Sequence, residues 1–170
     1  MLSINFVAVL VAALVPMIMG FIWYNPKTLG TAWMKAAEVT EEKMKGANMA
    51  VIFGLAFVFS FLLALTMNFI TIHQFGVQSA MMDMSHPDAL KDTTQGIGLE
   101  FKTFMEKYGN NFRTFKHGAL HGFISSILMV LPIIGTNALF ERKGFKYIAI
   151  NVGFWMINFI IMGGIICAWQ

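Results

Sequence analysis

The 170-residue chain is 57% hydrophobic and 12% charged, with a formal net charge of +3, about half the charge density of a soluble domain. That composition excludes an ordinary water-soluble globule, and no basic surface interleaved with aromatics suggests a nucleic-acid partner. The twelve basic and nine acidic side chains fall in three islands, residues 27–45, 83–116 and 141–146, leaving four uncharged windows, each long enough for a helix to cross about 30 Å of hydrocarbon.

The first window predicts a span over about 4–24. It has no Lys or Arg ahead of its apolar run and no A-x-A cleavage pattern, so it reads as a retained span rather than a signal peptide. Trp23 and Tyr24 mark its exit, because such rings favour the headgroup level. Asn25 is a good N-cap and Pro26 suits a first helical position, so a short helix is expected from Pro26. Leu29, Trp33, Ala36 and Ala37 share one face of it, which would lay Trp33 back onto the membrane surface.

Thr40 followed by Glu41 and Glu42 predicts another helix start, leading without a break into a second span over about 50–75. The segment 76–116 is the only sizeable extramembrane stretch. Within it Ile97, Phe101, Phe104, Met105 and Tyr108 recur with helical period, opposite Glu100, Lys102, Glu106 and Lys107, and Gly109 would end that helix. Spans three and four are predicted over about 118–139 and 147–169. The short connection between them implies antiparallel neighbours. The fold class expected is therefore all-α: one four-helix membrane domain over 1–170, arranged as two antiparallel hairpins with short interfacial helices.

The loops after spans one and three hold seven Lys and Arg residues together, against five in the middle segment. The positive-inside rule then places both termini and the middle segment on the non-cytoplasmic side. The lone Cys167 has no internal disulfide partner, so cysteine usage does not fix the redox compartment.

All four histidines belong to one membrane side. His73 ends the second span, His86 follows in the middle segment, and His117 and His121 open the third span with i, i+4 spacing, on one helical face. Two imidazoles so placed can converge on zinc or copper, with His73 and either His86 or Asp83 completing a tetrahedral shell. Met81, Met82 and Met84 offer soft ligands for Cu(I). The alternative is that these residues are ordinary interfacial imidazoles and apolar gap-fillers.

In the same stretch Gly118 and Gly122 form a GxxxG pattern continued by Ser126, suited to close helix packing within the chain or between copies. The amides of Asn68, Asn137, Asn151 and Asn158 lie inside the spans, and each needs a hydrogen-bond partner in a medium without water. Bonds between helices are their expected use, with a path for a small solute as the alternative. No Asp, Glu, Lys or Arg lies within any span, which argues against ion-coupled transport through a mid-membrane relay. Phosphate loops, nucleophile elbows and HExxH motifs are absent, so the sequence leans away from catalysis and names no cofactor.

Trp23-Tyr24 followed by Gly30 and Trp33, the Phe140-Glu141 pair ending span three, and Asn151, Gly153 and Gly163 in span four together resemble a bacterial membrane-protein family known as domain of unknown function 1761. The resemblance covers spans one, three and four. It implies a four-helix membrane domain with no established activity, substrate or cofactor. The functional expectation is a non-catalytic bundle in a bacterial inner membrane, with lipid as its solvent and a second copy or another membrane protein as possible partner. The alternatives are transition-metal binding or permeation through the histidines, and passive handling of small solutes or lipid.

Overall fold

The computed structural model describes residues 1–83 and 85–169. Among the described residues it is helical, with no strand. Four helical segments, Phe6–Trp23, Met49–Thr71, Phe115–Phe140 and Phe145–Ala168, are long and apolar enough to cross a membrane.

Helix α1 (Phe6–Trp23) starts at Asn5, whose side chain accepts from the backbone N–H groups of Val7 and Ala8, satisfying donors that a helix end leaves open. The chain does not re-enter a helix at Pro26. The Asn25 side chain accepts from Lys27 N–H and its carbonyl from Thr28 and Gly30 N–H, closing a turn, so α2 runs only over Gly30–Ala37. The uninterrupted second span expected from Glu41 is also corrected. After the single turn of α3 (Glu41–Met44) the backbone reverses at Gly46 with φ +84°, and Asn48 caps a new helix, α4 (Met49–Thr71).

Helix α4 ends earlier than the apolar run suggests. Ile72 is extended and the chain turns at His73 into α5 (Gln74–Met81). Helix α6 (Gly96–Tyr108) stops at Gly109 and buries Phe101. The third span is one continuous segment built of α7 (Phe115–Ser125), a wider π-turn over Ser126–Val130, and α8 (Leu131–Phe140). Pro132 is the second residue after the π-turn. Lacking an N–H, it cannot complete the regular ladder one turn back, a standard cause of such local widening.

Helix α9 (Phe145–Ala168) is the hub, the most buried of the four spans. Its most extensive contact is with α7, and it also meets α1 and α4. Ala8, Val9, Ala12 and Ala13 of α1 meet Ala64 and Met67 of α4 and Phe159, Met162 and Ile166 of α9 in one buried cluster. The opposite surfaces are apolar and exposed, as at Phe59, Leu62 and Leu128, which suits a surface solvated by acyl chains. The donors within the spans bond mostly on their own helices: Asn68 Nδ2 donates to the Ala64 and Leu65 carbonyls, Thr71 to Met67, Asn158 Nδ2 to Phe154 and Ser126 to Gly122.

At the end of the bundle away from the histidines, Trp23 Nε1 donates to the Ile150 carbonyl, while Tyr24 Oη and Trp33 Nε1 both donate to Asn151 Oδ1. Trp33 is thus half-buried against α9 and the Tyr24 ring, 5.2 Å between ring centres. Lys143 binds the Glu38 carboxylate at 2.8 Å and the Ala37 carbonyl, tying α2 to the turn between α8 and α9. That ammonium holds the Glu38 carboxyl below its ordinary range.

Candidate metal centre

The heptad His117-Gly-Ala-Leu-His121-Gly-Phe sets the site. A Cβ built on Gly118 would lie 2.0 Å from the Gly163 carbonyl oxygen, and one on Gly122 would lie 2.1 Å from that of Phe159. Only glycine allows this approach. Because residue 118 lies against 163 and residue 122 against 159, α7 and α9 run antiparallel here and the rotation of α7 about its axis is fixed. Each histidine precedes one of these glycines, so both imidazoles are turned about 100° away from α9. They face the end of α4, where the break at Ile72 presents His73.

The result is a cluster of three rings. His73 Nε2 and His117 Nε2 are 2.9 Å apart, and one ligating nitrogen from each of His73, His117 and His121 lies within 4.8 Å of the others. Ring centres are separated by 4.9 Å for His73 with either partner and by 4.6 Å for His117 with His121. His73 is exposed and the other two half-buried, so the cluster is open on its His73 side.

The remaining expected ligands are elsewhere. His86 Nδ1 pairs with Asp83 Oδ2 at 3.1 Å in an exposed turn, and that bond holds the Asp83 carboxyl below its usual range. Neither joins the three-ring group. Met82 is exposed, and Met84 lies outside the described residues. Of the four amides, Asn137 is on the exposed face of α8, Asn151 is engaged by Tyr24 and Trp33, and Asn68 and Asn158 are buried, each donating to its own helix, with Asn158 Oδ1 left without a partner. Gly118, Gly122 and Ser126 are buried along α9 inside the chain. Phe140 and Glu141 are exposed at the end of α8, and the acid at this end that pairs with a base is Glu38, with Lys143.

Three residues that sequence patterns do not reveal shape the rim. Phe112 adopts φ +63°, a left-handed conformation uncommon for a bulky side chain, and places its ring 5.0 Å from that of His117 and 6.1 Å from that of His73. Buried Gln74 anchors the same loop, its Nε2 donating to the Tyr108 and Asn111 carbonyls. These acceptors fix which amide atom is nitrogen, leaving Oε1 buried without a partner. Arg113 donates to the Cys167 and Trp169 carbonyls at the end of α9, a favourable place for a cation, although burial lowers the guanidinium's proton affinity. A cavity of about 270 Å³ opens beside His73, walled by Gln74, Val77, Phe104, Tyr108 and Phe112.

The fold and site define a helical protein with four membrane-type spans and a three-imidazole cluster where α4 and α7 meet at one end. The chain belongs to the family described as "Protein of unknown function (DUF1761)", whose model matches residues 7–167. No curated protein matches it, and no solved structure does.

Proposed function

We propose that this protein is a multi-pass membrane protein that binds one divalent transition-metal ion, zinc or copper, through His73, His117 and His121. The supporting observation is the mutual distance of the three ring nitrogens, all within 4.8 Å. Tetrahedral zinc with Zn–N bonds of about 2.0–2.1 Å needs nitrogens about 3.3 Å apart. Small side-chain rotations reach that arrangement from the 2.9 Å His73–His117 contact. Imidazole suits zinc and copper alike. Three protein ligands leave a coordination position open, and the exposed edge at His73 gives an ion a route from water.

This reading is favoured over a bundle that acts only through self-association, because the small-residue stripe that would drive association is taken up against α9 within the chain. In the proposed setting the bundle lies in a cytoplasmic membrane. Both termini, the middle segment and the metal centre face the non-cytoplasmic side, following the bias of Lys and Arg towards the other two loops.

The test is metal content after exposure of the purified protein in lipid nanodiscs to zinc or copper and removal of free ion. The expected result is about one ion per chain, lost in His117→Ala/His121→Ala and retained in His86→Ala. Equal metal content in the wild type and the double variant would overturn the proposal.

A further inference from the structure

We propose that the cavity beside His73 binds the alkyl chain of a small carboxylate whose anionic head occupies the open coordination position of the histidine-bound metal; this rests on the metal-binding reading above. The first argument is charge. Three neutral imidazoles leave both positive charges of a divalent ion uncompensated, and among the described residues no carboxylate or thiol joins the group. Asp83 is bound to His86, and the Cys167 thiol lies against the Thr71 and Phe112 carbonyls. The fourth position is therefore open to an oxygen ligand from outside the chain, and an anion there supplies the charge compensation that a neutral water does not.

The second argument is shape. The cavity of about 270 Å³ has His73 as one wall and Val77, Phe104 and Phe112 as apolar walls. At about 30 Å³ per water-sized group it accepts a chain of roughly six to nine methylene-sized units. His73 is the residue common to the cavity wall and the three-ring group, so a ligand whose tail lies along Val77 and Phe104 would bring its head to the His73 side of the metal.

The third argument is backbone strain at the boundary between the two. A left-handed conformation strains a bulky residue, and such strain persists where surrounding contacts over-determine it, commonly at ligand sites. Phe112 at φ +63° is such a residue. Gln74 holds the carbonyls of Tyr108 and Asn111, and Arg113 holds those of Cys167 and Trp169, so the segment around Phe112 is clamped on both sides. The clamp keeps the aromatic ring in the cavity wall, beside both His73 and His117.

The test uses full-length protein in nanodiscs loaded with cobalt(II), whose visible absorption reports its ligands, titrated with octanoate and with acetate. The expected result is that both perturb the cobalt spectrum, octanoate at concentrations at least about 30-fold lower, since each buried methylene strengthens binding severalfold. Val77→Trp, which fills the cavity, should keep the cobalt spectrum and reduce the preference to less than about 3-fold; Val77→Phe supplies a second, smaller filling. These variants meet the same lipid, so partitioning of octanoate into the nanodisc cannot imitate the result. A cobalt-loaded wild type with no preference for octanoate, or a preference that survives both fillings, would overturn this inference while leaving the metal site standing. Failure of wild-type protein to take up cobalt would remove the metal reading and this inference with it.

Discussion

Asn151 concentrates more of the fold's polar specificity than any other residue at its end of the bundle. Its Oδ1 accepts from both Tyr24 and Trp33, and its Nδ2 donates to the Tyr147 carbonyl. Replacing it with leucine keeps the bulk but leaves a phenol and an indole N–H without an acceptor, at a cost of about 1–3 kcal/mol for each buried group left unpaired. Asn151→Leu should therefore lower the thermal midpoint in detergent, whereas Asn137→Leu, on the exposed face of α8, should leave it nearly unchanged. Tyr24 also makes stability depend on alkaline pH. Burial, with a smaller contribution from Tyr147, raises its phenol from 10.0 to about 12. The unfolded phenol ionises first, so stability that is intact below pH 10 is lost as pH rises towards 12. Denaturation profiles should show that loss in the wild type and a flatter alkaline limb in Tyr24→Phe. Trp23, Tyr24 and Trp33 stand out in the sequence as an aromatic group at the exit of the first span. Their acceptors on α9 do not, because the bonds join residues 118 and 127 positions apart, and no local pattern encodes that pairing.

The contact between α7 and α9 decides where the histidines point. Adding one methyl at Gly118 places a carbon 2.0 Å from the Gly163 carbonyl oxygen, so the helices must separate, while Gly135 has nothing within 4 Å of the same added atom. Gly118→Ala should thus destabilise by about 1–3 kcal/mol, as overpacking does, and weaken metal binding by shifting His117. Gly135→Ala should be neutral or stabilising by up to about 1 kcal/mol through helix propensity. Thermal unfolding and metal titration of the two variants side by side check both claims. The GxxxG spacing was readable, and so was the i, i+4 histidine pair, because both depend only on helical period. The break at Ile72 that presents His73 carries no Gly or Pro signal, and neither does the left-handed turn at Phe112. His73 was legible as a third ligand from its place at the end of the second span, whereas the backbone geometry at Ile72 and Phe112 that brings the rings within reach was not.

On the scale of the whole molecule, the bundle has two unlike ends. One end gathers the middle segment, the histidines, and both chain ends: Leu2 N–H bonds Gln78 and Arg113 bonds Trp169. The other holds α2 and the short turn, joined by Lys143 and Glu38. With the proposed orientation and Cys167→Ser as background, a cysteine at Ser79 should react with an impermeant maleimide applied to intact cells, and one at Arg142 should react only after lysis. The four spans were legible because charge cannot remain in hydrocarbon, so its distribution along the chain marks them. Their packing around α9 was not, since apolar faces carry no address. Everything functional in this account depends on the three rings closing around one ion. X-ray absorption at the zinc edge of loaded protein in nanodiscs tests that most directly: the account predicts about three imidazole nitrogens at about 2.0–2.1 Å, recognised by the scattering of their rings, plus one oxygen donor. A shell of oxygens alone, or a shell unchanged in His73→Ala, would contradict it.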